Sequence, residues 1–336
     1  MLRRCFNWDY CAPAIYMITL TLADRSKPLL GRVVPIFPQG TFSAYQIGAK
    51  FLPSSLGEAI VDDWKNFQKY RPEIRPLYLQ LMEEHLHGII QVTKQMPKPL
   101  GNAIAGFKGW CNKYYRQING AQTPLFSPGF QDSILLHAGQ LSRMFNYLRD
   151  NPRRLAIRRQ FPNLFTSVQH LQYADGAFDA FGNIFLLDKT HFHLLQVSRT
   201  ANAEDMRRAR NAIHRAISSN AVIVSPYISP GERILMDEAL DLGASFIALQ
   251  SKGFPPLYKP SGKLFDACAT GHLLLLTPSE WTTIEHYTKH ITREKCYVLN
   301  ALAAKIAGGL PQSIRYHGQS PENLELLLQQ AGFPPR

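Results

Sequence analysis

LMEEHLHGII, residues 81–90, decides how the first half of this chain is read. Leu81, Leu86, Ile89 and Ile90 mark a strand bound for a core, yet His85 and His87 stand one residue apart within it. Successive side chains of a strand point to opposite faces, so both imidazoles project from one face and Leu86 from the other. Two imidazoles on one face can hold a divalent cation. The pattern by itself is weakly specific, because the chain has 11 histidines and repeats it at His191-Phe192-His193.

Downstream residues separate the two pairs. NYLRDNPRR (146–154) supplies Tyr147 and Asn151, four residues apart and therefore on one face of a helix. A phenol and an amide oxygen could there be presented together to a metal held by His85 and His87. No comparable helix follows the second pair, and HYTKH (286–290) offers a tyrosine only beyond the second-half strands.

Around these groups the first half reads as strands at 14–23, 74–82 and 86–93 and helices at 57–70, 99–118 and 137–152, the last closed by Pro152. That order predicts an α+β domain, an antiparallel sheet flanked by helices. The second half changes rhythm. Strands FHLLQVS, AVIVS, SFIALQ and HLLLLTP alternate with helical stretches such as AEDMRRARNAIHRAIS. This alternation predicts an α/β Rossmann-like domain with a parallel, doubly wound sheet. The expected division is 1–165, a linker at 166–190 rich in Asp, Gly and Phe, a second domain at 191–290, and C-terminal helices at 291–336 to which no role is assigned.

The formal charge is +12 over 336 residues, and the excess is uneven. Residues 1–175 hold 21 Lys and Arg against 11 Asp and Glu, whereas the remainder hold 16 against 14. A polyanion-binding surface is therefore expected in the first half. Five scattered cysteines without a C-x-x-C pair argue against a disulfide framework and a zinc ribbon, and fit a reducing cytoplasm. No apolar run approaches the roughly 18 residues a membrane span needs.

An apolar strand ending in H-hydrophobic-H, followed by a helix carrying Y-[IL]-x-x-[NQ] and then Pro, resembles the HUH single-tyrosine transposases. Within them it resembles the REP-associated tyrosine transposase group. The similarity spans roughly 12–165 and takes in LGEAIVDDW, LGNAIAGFKGWCNKYY and FSPGFQDSIL. It implies an HUH, ferredoxin-like sheet, with Mg²⁺ or Mn²⁺ bound by His85, His87 and Asn151 and with Tyr147 as the nucleophile. The implied reaction cleaves and rejoins single-stranded or hairpin DNA through a 5′-phosphotyrosine, as in DNA transposition and recombination, and a homodimer is implied by the resemblance alone. The chain departs from the family at Glu83-Glu84 before the first histidine and at Asp132-Ser133.

Arg153, Arg154, Arg158 and Arg159 follow the tyrosine at spacings that form a basic stripe for phosphates. Lys108, Lys113 and Arg116, interleaved with Trp110, Tyr114 and Tyr115, are candidates for clamping single strands, with core packing the rival role for the aromatics. Residues 191–280 are similar to the SLOG superfamily, nearest to DNA-processing protein A. Ser198, Arg199, Ser225 and Gly231 would there line a nucleotide or phosphate site at helix N-termini. Three functions remain open on these residues: the HUH transposase-like nuclease, a domesticated DNA-binding protein without cleavage, and a nucleotide-binding protein acting through the SLOG-like domain.

Overall fold

The computed structural model describes residues 7–40, 46–255, 258–282, 291–308 and 321–333. The chain forms two compact units that divide between Ile157 and Arg158.

The first unit runs β1 (Ala14–Thr21), β2 (Gly31–Ile36), β3 (Gly48–Pro53), α1 (Ser55–Lys65), α2 (Phe67–Tyr70), β4 (Ile74–Leu81), β5 (His85–Val92), α3 (Leu100–Asn119), β6 (Gln131–Leu135) and α4 (Gln140–Gln160). Its main sheet has the order β4-β5-β1-β6, antiparallel throughout, and β2 and β3 form a separate hairpin. Alternation sets its two faces. Tyr16, Ile18 and Leu20 of β1 and Leu86 and Ile90 of β5 enter a core with Ile60, Trp64 and Phe67 of α1 and α2 and Ile104 and Phe107 of α3. The intervening residues face the other way, where Phe145 of α4 packs edge-on against Tyr78 of β4 at 5.6 Å between ring centroids.

Three features of this unit depart from the expectations. The hairpin β2–β3 and the strand β6 were not foreseen: GRVVPI carries a proline and QDSIL is mostly polar, so neither has a clean two-residue alternation. The helix that Pro152 was expected to close continues to Gln160. Pro152 removes the N–H that would bond the Leu148 carbonyl, a loss of about 3 kcal/mol in a helix interior. Burial of Leu148, Pro152, Ala156 and Ile157 along one side of α4 opposes that loss.

The second unit contains β7 (Ser167–Tyr173), β8 (Gly176–Gly182), β9 (Phe192–Leu194), α5 (Ala203–Ser218), β10 (Val222–Ser225), α6 (Pro230–Asp241), β11 (Phe246–Leu249), α7 (Lys263–Ala269), β12 (Leu273–Pro278), α8 (Arg293–Ile306) and α9 (Pro321–Gln330). One mixed sheet has the order β7-β8-β12-β11-β10-β9, with β9 to β12 parallel and β7 and β8 antiparallel. The segment 166–190 is therefore not a linker; it supplies two strands of this sheet. Their two-residue turn, Ala174-Asp175, has φ of 51° and 62°, the left-handed geometry usually signalled by Asn-Gly, and without that signal the hairpin reads as a connector. Lys305 of α8 holds the turn through an ion pair with Asp175 at 3.1 Å.

The sheet is also not doubly wound. The parallel strands lie side by side in chain order without reversal. Ile213 of α5, Leu235 of α6 and Cys268 of α7 share one core with Ile223, Phe246 and Leu275, while Leu299 and Leu302 of α8 pack the opposite face with Val224, Ile247 and Leu274. A strand order without reversal leaves no switch-point crevice of the kind that binds dinucleotides. Of the expected C-terminal helices, α8 and α9 are present, and 309–320 and 334–336 lie outside the described residues. Cys11, Cys111, Cys268 and Cys296 are free thiols, and Cys5 lies outside the described residues. Among the described residues no helix is long and apolar enough to cross a membrane.

Gly88, between the histidine pair and the rest of β5, is required by contact: a Cβ there would lie 2.2 Å from Cη2 of Trp64. Gly88→Ala is expected to destabilise the chain by about 1–3 kcal/mol through overpacking. Urea unfolding of the full chain followed by tryptophan fluorescence measures this.

Candidate functional site

Strand β5 places His85 and His87 on one face with ring centroids 4.7 Å apart. Thr19 of β1 lies opposite His87 in the ladder, and its Oγ1 is 2.8 Å from His87 Nδ1. That bond engages one ring nitrogen and leaves Nε2 as the other, the arrangement in which a second residue orients a metal-binding imidazole. His87 is 9% exposed. Burial, with His85 beside it, pushes its pKa down to about 3, so the ring stays neutral near neutral pH. His85 is more open, with a Glu84 carboxylate oxygen 4.0 Å from its Nδ1.

Helix α4 brings Tyr147 to the same face, its ring centroid 6.4 Å from that of His87. Tyr147 is 39% exposed. Arg154, nearly buried, sets its guanidinium carbon 5.3 Å from the Tyr147 ring centroid and so braces it. Asn151 lies one turn further along α4, half-buried, and makes no hydrogen bond with the histidines or the tyrosine among the described residues. Among those residues there is also no group of three or more His, Cys, Asp or Glu side chains suited to a metal ion. The two imidazoles therefore fit a cation only as part of a set completed by a weaker oxygen donor, for which Asn151 is placed on the right helix.

The two glutamates before His85 have different fates. Glu83 accepts a hydrogen bond from the Val33 N–H of β2 at 2.8 Å and so ties the hairpin to the end of β4, while Glu84 is exposed. Asp132 pairs across from Ile18 in the ladder and accepts from the Tyr10 hydroxyl at 2.8 Å, which places it on the sheet face away from the histidines.

Two of the four arginines of the expected basic stripe are engaged within α4. Arg153 forms a bidentate pair with Asp150, at 2.5 and 3.2 Å, and Arg154 is buried over Tyr147. Arg158 is half-buried and Arg159 exposed on the last turn of α4. Lys108 donates to the carbonyls of Ser127 and Gly129, at 2.6 and 2.8 Å, and thereby holds a loop rather than a strand of nucleic acid. Lys113 and Arg116 are exposed on α3, whose helix packs on the sheet face opposite the histidines. Trp110 and Tyr114 stack on each other at 5.4 Å and, with Tyr115, pack against the core.

In the second unit a buried carboxylate gathers backbone donors at the start of α6. The Glu232 carboxylate accepts the N–H groups of Val197, Ile228 and Ser229 at 3.0, 2.7 and 2.9 Å, and Ser229 caps α6 by accepting from Glu232 N–H. Ser225 accepts from Tyr227 N–H, Ser198 bonds Thr200, and Arg199 is exposed. A Cβ on Gly231 would come within 2.9 Å of Val197, so that glycine serves close packing.

Thr19 is the site residue that the sequence reading missed. Its signal was the polar Thr19 and Thr21 in an otherwise apolar strand, but only the register sets them opposite His87 and His85. His87 is expected to stay neutral in an NMR titration of the full chain down to about pH 4, well below the ordinary value of 6.5. A folded-state pKa below the unfolded one means that His87 contributes stability above about pH 6.5, and that this is lost as pH falls toward 3.

No protein-family model matches the chain, and no curated protein matches it. Among solved structures the chain is similar to a REP-associated tyrosine transposase bound to a REP hairpin, at 16% identity and a TM-score of 0.31, over 46% of this chain and 75% of that one.

Proposed function

We propose that the first unit is an HUH-type nuclease and strand transferase acting on single-stranded or hairpin DNA, with Tyr147 as the nucleophile. The observation that carries this reading is the meeting of two strand imidazoles and an accessible helix tyrosine on one face of the sheet. The basic balance of the first half supports a polyanionic substrate.

In this reading His85 and His87, with Asn151, hold a divalent cation. When bound it supplies a Lewis acid that neutralises charge on the scissile phosphate. Two imidazole nitrogens and an amide oxygen suit Mn²⁺ better than Mg²⁺, which favours oxygen ligands. Thr19 engages His87 Nδ1 and so leaves Nε2 for the cation, and Arg154 keeps the phenol in place. Tyr147 Oη attacks phosphorus as the phenol proton leaves to solvent. The new Oη–P bond replaces the bond from phosphorus to the 3′ oxygen, which departs as a 3′-hydroxyl. The phosphotyrosine conserves the ester, so a second 3′-hydroxyl can attack it, release Tyr147 and join strands without a nucleotide cofactor.

Binding without cleavage is the second reading, favoured by the exposed Glu84 carboxylate 4.0 Å from His85 Nδ1, which competes for one of the two imidazoles. A suicide substrate decides between them: labelled single-stranded DNA with flanking hairpins, incubated with Mn²⁺ or Mg²⁺ and run on a denaturing protein gel. The nuclease reading expects a covalent band, stronger with Mn²⁺, that Tyr147→Phe abolishes and His87→Ala reduces by at least about a hundredfold. Retained DNA binding without a band under any metal establishes the second reading instead.

A further inference from the structure

On the sheet face away from the histidines, α1, α2 and α3 line an open-sided cleft of about 280 Å³. Phe67, Phe107 and Trp110 wall it. These rings are held in place beforehand: Trp64 packs edge-on against Phe67 and Phe107 at 5.5 and 5.3 Å, and Tyr114 lies flat against Trp110, 5° from parallel. Asp63 also lines the cavity, and its half-buried carboxylate makes no hydrogen bond and no ion pair among the described residues. A carboxylate withdrawn from water without donors is a net cost, and burial accordingly raises its pKa. Arg71 and Tyr70 line the same space from exposed positions.

Gly106 of α3 completes the lining, and a Cβ there would meet nothing within 4 Å. Glycine inside a helix is about 1 kcal/mol less favourable than alanine. Among the described residues no packing contact calls for it, and the space over the helix at this position is open.

We propose that this cavity is a binding site for a guanine nucleotide, separate from the histidine and tyrosine centre. Trp110 is the partly exposed ring of the lining, and an aromatic ring stacks on any base. An ionised carboxylate accepts hydrogen bonds only, so it selects a base edge with adjacent donors. Guanine offers N1–H and the 2-amino group side by side; adenine and cytosine place an acceptor next to their amino group, and thymine has a single donor between two acceptors. Arg71 is placed for the phosphate, and the volume suits one base rather than a larger ligand. A free nucleotide and an unpaired guanine in a DNA strand share this chemistry.

Calorimetric titration of the full chain tests the proposal with GMP, IMP, AMP, an oligothymidylate, and the same strand carrying one guanine. GMP, the guanine strand or both are expected to bind at one equivalent. IMP, which lacks the 2-amino group, is expected to bind about tenfold more weakly than GMP, and Asp63→Asn to lose about tenfold or more. Gly106→Leu fills the space and abolishes binding, with an unchanged circular dichroism spectrum and melting temperature as the control for folding. Binding of GMP identifies a free nucleotide as sufficient, and binding of the guanine strand alone identifies a base within DNA. The proposal is overturned if neither guanine ligand binds, or if Asp63→Asn and Gly106→Leu, both folded, bind as the wild type does. Because the readout is guanine dependence at Asp63 rather than strand cleavage, its failure is distinct from failure of the nuclease reading.

Discussion

The two-sided burial of β5 is the constraint on which the candidate site depends. Leu86 and Ile90 are fully buried on one side, and Trp64 rests directly on the bare backbone of Gly88. A slip of one residue would move this whole set to the other face and carry the histidines into the core. The core that α1 and α3 form therefore fixes the register of His85 and His87, and the antiparallel pairing with β1 delivers Thr19 to His87. Function on one face is positioned by packing on the other.

A second theme is that many charged groups satisfy the protein's own needs. Arg153 pairs with Asp150, Lys108 closes a loop through two carbonyls, Arg210 pairs with Glu238 at 2.6 Å, and Glu232 occupies the N-terminal end of α6. Net charge still bears on long-range attraction of a polyanion, but it does not identify which cations meet it. The Glu232 arrangement has the more definite consequence: the backbone N–H groups of Val197, Ile228 and Ser229 are bound at the start of α6 to a buried carboxylate.

The residues that were legible in the sequence are those whose signal is local. The H-x-H pair in an apolar run, Tyr147 on a helix, and the alternation of strands and helices after residue 190 were read from spacing alone, and the antiparallel sheet of the first unit and the mostly parallel sheet of the second agree with them. What escaped depended on distant contacts. Pro152 reads as a stop unless the buried side of α4 is known, and Ala174-Asp175 lacks the usual turn residues although both adopt positive φ. The order of parallel strands, which separates a singly from a doubly wound sheet, leaves no mark in any one segment. Thr19 is ordinary until the ladder sets it beside an imidazole.

In the proposed reading, His85 and His87 jointly hold a divalent cation beside Tyr147. Electron spin-echo envelope modulation of Mn²⁺ added to the full chain tests it most directly, because imidazole nitrogen bound to the ion leaves a characteristic ¹⁴N coupling. Coupling to two imidazole nitrogens, reduced to one in His85→Ala and in His87→Ala, is the predicted result. A Mn²⁺ signal without nitrogen coupling, or one unchanged by either substitution, would contradict the account.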